Sequence, residues 1–133
     1  MADPSQVVRV VAVRRSLRPT EFSLRPGEEG LSLFACETAE QAERVVTAVR
    51  SAGKQGPLAA AAITADELLA LGLELVPTSG GTSDPLVNQW HVEARLGPNL
   101  LDQARRLGQT TVEFYNQQLA GAVCHRARIL FQE

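Results

Sequence analysis

A run of β-branched residues near the start of the chain restricts the fold more than any other segment. Residues 6–13 read QVVRVVAV, with Arg9 as their single charge. Valine loses side-chain freedom in a helix and packs well on a pleated strand, so it favours strands. The segment therefore predicts a mostly buried strand, which other elements of the chain have to cover.

The composition is that of an ordinary globular protein. The chain has 133 residues, of which 44% are hydrophobic and 21% are charged, and its formal net charge is −2. These values predict one soluble domain, residues 1–133, that is large enough to fold without a disulfide or a structural metal. Cys36 and Cys124 lie far apart and outside any C-x-x-C motif, which argues against a disulfide framework or a zinc ribbon and favours a cytoplasmic location.

No segment has the pattern of a membrane or export signal. The longest strongly apolar stretch, residues 57–63, is much shorter than the 18 or so residues that a membrane span needs. Residues 1–4 lack the basic start and the apolar region of a signal peptide. We therefore expect neither membrane insertion nor export.

Turn residues and apolar spacing divide the rest of the chain into predicted elements. Thr38 with Gln41, and Thr64 with Glu67, have capping-box spacing, which predicts that a helix begins at each threonine. The predicted helices cover residues 38–53, 64–72 and 100–121, and the last could break at Gly108 into a helix and a strand. The further predicted strands cover residues 21–25, 31–35, 73–76, 88–95 and 122–131.

These elements do not alternate strictly between strand and helix. The order favours an α+β domain with a single mixed or mainly antiparallel sheet covered by two or three helices. Neither G-x-G-x-x-G nor G-x-x-x-x-G-K-[ST] occurs in the chain, so the sequence gives no support to a dinucleotide fold or a P-loop. We expect no cofactor.

Positive charge is concentrated toward the two ends of the chain. Residues 1–25 hold five arginines against two acids, residues 26–93 hold three cations against ten acids, and residues 94–133 hold five arginines against three acids. A basic patch formed by the two ends would suit a small anionic ligand or an acidic protein. Nucleic acid is not an expected partner, because the excess charge is small and few aromatic residues accompany it.

One predicted strand carries a row of functional groups on one face. Alternation over residues 88–95 directs Gln89, His91, Glu93 and Arg95 to the side opposite Trp90, Val92 and Ala94. His91 could act as a general acid or base oriented by Glu93, and Arg95 could hold an anion. The alternative is that the row is the solvated side of an amphipathic strand.

Three other features of the sequence bear on possible binding, catalytic or metal sites. The glycine- and serine-rich loop of residues 78–84 could form an anion-binding nest or a lid, or be a plain connection. Cys124 and His125 are neighbours in a predicted strand and would point to opposite faces, so we expect a buried free thiol and a surface histidine rather than a catalytic pair. The two histidines and two cysteines lack metal-ligand spacing, so no metal site is predicted.

A few short segments resemble the functional positions of ADP-ribosyltransferases. These are the arginine-bearing first strand, Ser32 within the segment GLSLF, and Glu93 within His-Val-Glu. The resemblance implies transfer of an ADP-ribosyl group. The chain departs from that pattern where the family has Gln-x-Glu or Glu-x-Glu, because a histidine stands two residues before Glu93.

Two functions follow as hypotheses. The first is a small bacterial, cytoplasmic binding or regulatory module without catalysis, whose partner is a protein or a small anionic ligand. The second is a small group-transfer or hydrolytic enzyme that uses His91 and Glu93, with Arg14 or Arg95 as an anion clamp. The candidate ligand-binding residues are Arg14, Ser32, Gln89 and Arg95. Either could form a homodimer through an exposed strand or through the apolar rows of the long helix.

Overall fold

A single antiparallel sheet organises the chain. The computed structural model describes residues 5–133; residues 1–4, on which the expectation about export rests, lie outside them. The sheet has six strands in the order β4-β5-β2-β1-β3-β6, and every neighbouring pair is antiparallel. The strands are β1 (Gln6–Ala12), β2 (Gly30–Ala35), β3 (Leu58–Thr64), β4 (Leu73–Pro77), β5 (His91–Leu96) and β6 (Arg128–Gln132).

Helices cover both faces of this sheet, which confirms the predicted α+β class. They are α1 (Ala39–Ser51), α2 (Ala65–Ala70), α3 (Pro85–Gln89), α4 (Pro98–Arg106), α5 (Thr111–Gln118) and α6 (Ala120–Arg126), with a 3₁₀ helix at Pro19–Phe22. α1 and α3 pack on one face of the sheet. The opposite face is covered by α2, α4, α5, α6 and the 3₁₀ helix. Within residues 5–133, no helix combines the length and the apolar character needed to cross a bilayer.

β1 is the strand that the valine run predicts. Val7 and Val11 face the layer that contains α5 and α6, whereas Val8 and Val10 face α1. All four valines are buried, because helices cover β1 on both sides.

The alanine-rich strand β3 is missing from the sequence prediction. Its segment LAAAAIT pairs with β1 along its whole length and with β6 on its other side. Alanine favours helices intrinsically, and a run of alanines has no alternation that would indicate a strand. Tertiary packing overrides this preference, since Ala59 to Ala62 are buried between the two helical layers, where only small side chains fit closely.

Two predicted strands are wrong. Residues 21–25 were expected to form a strand, but Pro19–Phe22 is a 3₁₀ helix and the chain then runs irregularly to β2. Residues 122–131 were expected to form another, but the chain stays helical to Arg126, and only Arg128–Gln132 is extended. In both segments, packing against the core on the α5–α6 side of the sheet determines the local structure, although polar and apolar residues alternate loosely along the sequence.

The helix ends follow local chemistry closely. Thr38 accepts a hydrogen bond from the Gln41 amide, and Thr64 forms a complete capping box with Glu67. The predicted long helix does break near Gly108, whose φ of +67° suits glycine, but a second helix follows and not a strand. The reason is a further capping box, in which Thr110 and Glu113 start α5.

Candidate functional site

Strands β1 and β2 separate after a short paired region. Their ladder contains only Val7 opposite Ala35 and Val8 opposite Phe34. In a continued ladder Val10 would face Ser32, and the two residues would exchange backbone hydrogen bonds. The strands diverge before that point, which opens the sheet between two central strands.

Two cationic side chains bind the carbonyl groups that this separation frees. The Arg9 guanidinium donates from Nη1 to the Ser32 carbonyl at 3.0 Å and from Nε to the Glu21 carbonyl at 3.0 Å. The Lys54 ammonium donates to the Val10 carbonyl at 2.9 Å. Buried carbonyl groups need such donors, so these two cations supply hydrogen bonds to the Ser32 and Val10 carbonyls where the strands separate.

A cavity of about 450 Å³, within the range of small-molecule sites, lies beside this separation, between β1, the segment of residues 20–26 and Lys54. We call it the β1–β2 cleft. It is lined by Arg9, Val10, Val11, Ala12, Thr20, Glu21, Ser23, Leu24, Arg25, Pro26 and Lys54. Its outer wall is fixed from outside, because the Asn116 side chain of α5 accepts from the Leu24 amide at 2.7 Å and donates to the Leu24 carbonyl at 3.0 Å.

The charge of the β1–β2 cleft is positive. None of the ion pairs within residues 5–133 involves Arg9, Arg25 or Lys54. Of the nearby carboxylates, Glu21 is already paired with Arg14 at 2.6 Å. Burial lowers the pKa of the Arg9 guanidinium, an effect that Glu28 and Glu21 partly oppose, yet arginine stays charged at neutral pH. The cleft therefore holds three cations, and no carboxylate among residues 5–133 forms an ion pair with any of their side chains.

Two buried polar atoms close to Arg9 have no hydrogen-bond partner among the described residues. They are Oε2 of Glu21 and the hydroxyl of Tyr115. Burial raises the pKa of Tyr115, so the phenol is neutral and supplies no counter-charge to Arg9. Unsatisfied polar atoms are uncommon in protein interiors, and their position here marks the surroundings of Arg9 as a polar region within an otherwise apolar layer.

Lys54 stands in a tight loop after α1. Gly53 has a φ of +114° and Gly56 has a φ of +80°, values that favour glycine, and they let the chain turn sharply on either side of Lys54. Lys54 is exposed, but its ammonium group reaches the backbone of β1. Burial of that group, and then its neighbours Arg9 and Arg25, lower the pKa of Lys54, while Glu21 opposes the shift.

The predicted polar row is present in part. His91, Glu93 and Arg95 alternate with the buried Val92 and Ala94. Gln89 is not in the row, because it ends helix α3 and is exposed.

The predicted position of Trp90 is also wrong. Trp90 follows α3 as its C-cap and packs on the α1 side, not beside Val92. Asp84 caps α3 and Pro85 is its first residue. The first two residues of the expected strand, 88 and 89, therefore belong to this helix.

His91 and Glu93 bind different partners. His91 Nδ1 lies 2.5 Å from the Thr78 hydroxyl, and its ring meets Phe34 edge to face at 5.1 Å between centroids. The Glu93 carboxylate binds Arg95, with nitrogen-to-oxygen distances of 2.9 and 3.0 Å. The structure thus brings the three side chains to one face of β5, but Glu93 orients Arg95 instead of His91.

Because of His91, we expect the free energy of unfolding to depend measurably on pH. Burial lowers the pKa of His91, and Glu93 only partly opposes this. The unfolded chain therefore binds a proton near its ordinary pKa of about 6.5 before the folded chain does, so the free energy of unfolding falls as the pH drops through that value. We expect H91Q to lose less stability than the wild type between about pH 7 and pH 5 in urea titrations.

A matched control is His125, which is exposed on α6. H125Q is expected to keep the wild-type dependence. Equal slopes for H91Q and the wild type would contradict the assignment to His91.

The other predicted site residues are dispersed. Arg14 is exposed and paired with Glu21, outside the polar row. Ser32 lies opposite Glu93 in the β2–β5 ladder, and its carbonyl is the group that Arg9 binds. The structure thus places Ser32 between the polar row and the β1–β2 cleft, while Arg14 supports the cleft wall through Glu21.

Hydrogen bonds hold the loop of residues 78–84 in place. The Asn88 side chain bonds the amide, hydroxyl and carbonyl of Thr82, and the Gly80 amide donates to the Asn88 carbonyl. Asp84 caps α3 and binds Arg44 through two hydrogen bonds of 2.7 and 3.0 Å. These contacts favour a plain connection over a lid.

The cysteines are poor nucleophiles. Cys124 and His125 lie in helix α6, so the strand geometry used to separate them is wrong. Burial raises the pKa of Cys124, and it raises the pKa of Cys36 to about 11, so both thiols are protonated at neutral pH. Within residues 5–133, no three His, Cys, Asp or Glu side chains group closely enough to hold a metal ion.

Comparisons of the chain with protein-family models, with curated proteins and with solved structures find no match. The resemblance to ADP-ribosyltransferases stays a prediction based on short segments.

The sequence reasoning did not find the β1–β2 cleft. Two signals were present: Arg9 is a lone charge inside a valine run, and Lys54 is the one lysine in the chain. Neither signal points to a site by itself, because nothing local shows that residues 45 positions apart share a cavity.

Proposed function

We propose that the protein is a non-enzymatic binding module that holds a small anionic ligand in the β1–β2 cleft between Arg9, Arg25 and Lys54. The observation that carries the proposal is the state of Arg9. Its guanidinium is held between two separated strands by backbone carbonyls, and no carboxylate among residues 5–133 pairs with it. A buried cation without an ion-pair partner costs several kcal/mol, and a bound anion would offset part of that cost.

The cleft has the other features that such a ligand needs. Arg25 and Lys54 add two further cations at its mouth, and the cavity of about 450 Å³ is large enough for a small organic acid or phosphate. Charged hydrogen bonds to carboxylate or phosphate are about twice as strong as neutral ones, and the arginine fork matches both groups. Positive potential in a concave site also raises the rate at which anions arrive.

The enzyme alternative, with His91 as base and Glu93 as its orienting group, has less support. Each of these side chains is engaged elsewhere, His91 with Thr78 and Glu93 with Arg95. A general base needs a partner that orients it, and this geometry gives that carboxylate to an arginine instead.

The test is titration with succinate and with inorganic phosphate, followed by calorimetry and by thermal melting. We expect at least one of these anions to bind, and R25M and K54M each to weaken it by roughly tenfold, since one charged hydrogen bond contributes about 1.5–3 kcal/mol. R105M is the matched control, because Arg105 is exposed on α4, away from the cleft lining.

Binding should also weaken as salt is added, because the contacts are electrostatic. Failure of both anions to bind would contradict the proposal. Binding that R25M and K54M leave unchanged would contradict it equally.

A further inference from the structure

Lys54 is chemically unlike every other cation of the chain. The sequence has twelve arginines and a single lysine, and that lysine lies at the β1–β2 cleft. If the cleft needed only a positive charge, an arginine could supply it, as arginines do elsewhere in the chain. Lysine differs in one respect that matters for reactivity: its amine can lose a proton and become a nucleophile, which a guanidinium does not do in proteins.

Building on the proposed function, we propose that Lys54 forms a reversible imine with a ligand that carries both an anionic group and a ketone or aldehyde, such as a small 2-oxo acid. In this arrangement Arg9 and Arg25 hold the anionic group. The amine of Lys54, fixed on the Val10 carbonyl at 2.9 Å, meets the ligand carbonyl.

The surroundings of the amine favour this reaction. Desolvation and the two neighbouring guanidiniums lower the pKa of Lys54, which increases the fraction of neutral amine at neutral pH. Glu21 acts in the opposite direction, but its carboxylate is paired with Arg14. Lysines placed in apolar surroundings or beside other cations are the ones that form imines readily in proteins.

The position of the amine is also suitable. The bond to Val10 uses one N–H group and leaves the lone pair of the neutral amine free. Hydrogen bonds hold the backbone on both sides of Lys54, since the Gly53 amide donates to the Arg50 carbonyl at 2.9 Å and the Arg50 guanidinium donates to the Gly56 carbonyl at 2.6 Å. A ligand anchored by its anionic group is thereby held close to the amine, which replaces a bimolecular encounter by a local one.

The step needs no cofactor. The neutral amine attacks the carbonyl carbon and a C–N bond forms. The carbonyl oxygen leaves as water with the two protons that the amine nitrogen loses, and a C=N bond remains. No atom is oxidised or reduced, and hydrolysis of the imine releases the ligand unchanged.

The experiment is reductive trapping with pyruvate and with 2-oxoglutarate in the presence of sodium cyanoborohydride. Reduction makes the bond permanent and adds the mass of the oxo acid less one oxygen. We expect peptide mapping to place the adduct on Lys54, which is labelled at least about tenfold faster than the N-terminal amine because the ligand is held beside it. The single lysine makes the assignment unambiguous.

Three controls separate this inference from simple anion binding. K54R keeps a cation at the cleft without a reactive amine, so it should bind succinate but give no adduct beyond that of the N-terminal amine. R25M should slow trapping by the oxo acids. Acetone carries a carbonyl without an anionic group, so it should label Lys54 more slowly than pyruvate does.

The outcomes distinguish the two proposals. Labelling of Lys54 no faster than that of the N-terminal amine, or labelling by acetone as fast as by pyruvate, would overturn the imine inference. If succinate still binds and depends on Arg25, the anion-binding function stands without it. If neither succinate nor phosphate binds, the proposed function fails as well.

Discussion

Replacing Phe22 with alanine is expected to lower the free energy of unfolding by about 3–5 kcal/mol. Phe22 is completely buried in the core between the sheet and helices α5 and α6. Its 3₁₀ helix packs against α6 and has no place in the sheet ladders. Phe22 is the buried side chain of this helix, and truncating it leaves a cavity in addition to the lost burial. Urea denaturation monitored by circular dichroism measures the change.

The effect on the cleft tests the same attachment. The segment anchored by Phe22 contains Glu21, whose carbonyl binds Arg9, and it forms one wall of the cleft. We expect folded F22A to bind succinate more weakly than the wild type. F22L, which keeps an apolar side chain of similar length, should lose less on both measurements.

L101A is the control for burial, because Leu101 is 40% exposed on α4. It should change the free energy of unfolding far less than F22A. A loss for F22A as small as that for L101A would show that the 3₁₀ helix does not depend on Phe22.

Replacing Ala61 with leucine is expected to lower the free energy of unfolding by about 1–3 kcal/mol, although leucine is the more hydrophobic residue. Ala61 is fully buried in β3, which is paired on both sides, and it lies on the face that also carries Arg9, its partner in the β1 ladder. The packed layer above the strand has no room for three more carbon atoms, so neighbouring side chains must leave their preferred rotamers.

A70L is the matched control, because Ala70 is exposed at the end of α2. There the added atoms reach solvent, and we expect a change within about 0.5 kcal/mol. Thermal and urea unfolding of both variants provide the comparison. If A61L proved as stable as A70L, the alanine strand would not be packed between two layers.

The parts of the fold that were predictable depend on neighbours in sequence. The Thr38 and Thr64 caps were found because a cap bonds an amide only a few residues away. β1 was found because its four valines favour a strand. The alternation of β5 from His91 onward was found because side chains on a strand alternate with a period of two.

The errors occur where distant packing decides. β3 consists mostly of alanine, and only burial between two layers makes a strand of it. Gln89 is not part of the polar row, because Asp84 and Pro85 start a helix that ends beside β5. Residues 122–126 alternate loosely like a strand, yet they extend α6 against the core.

The sequence by itself determined the α+β class, the helix caps and the strands β1 and β5, because hydrogen bonds and side-chain periodicity within a few residues specify them. Only the tertiary structure decided that β1 and β2 separate after Val8, and that Arg9, Arg25 and Lys54 meet where they do. Those three cations come from a strand, an irregular segment and a loop that local preferences do not relate to one another. The physical reason is that a cleft is made by the relative positions of separate elements, and long-range packing sets these positions.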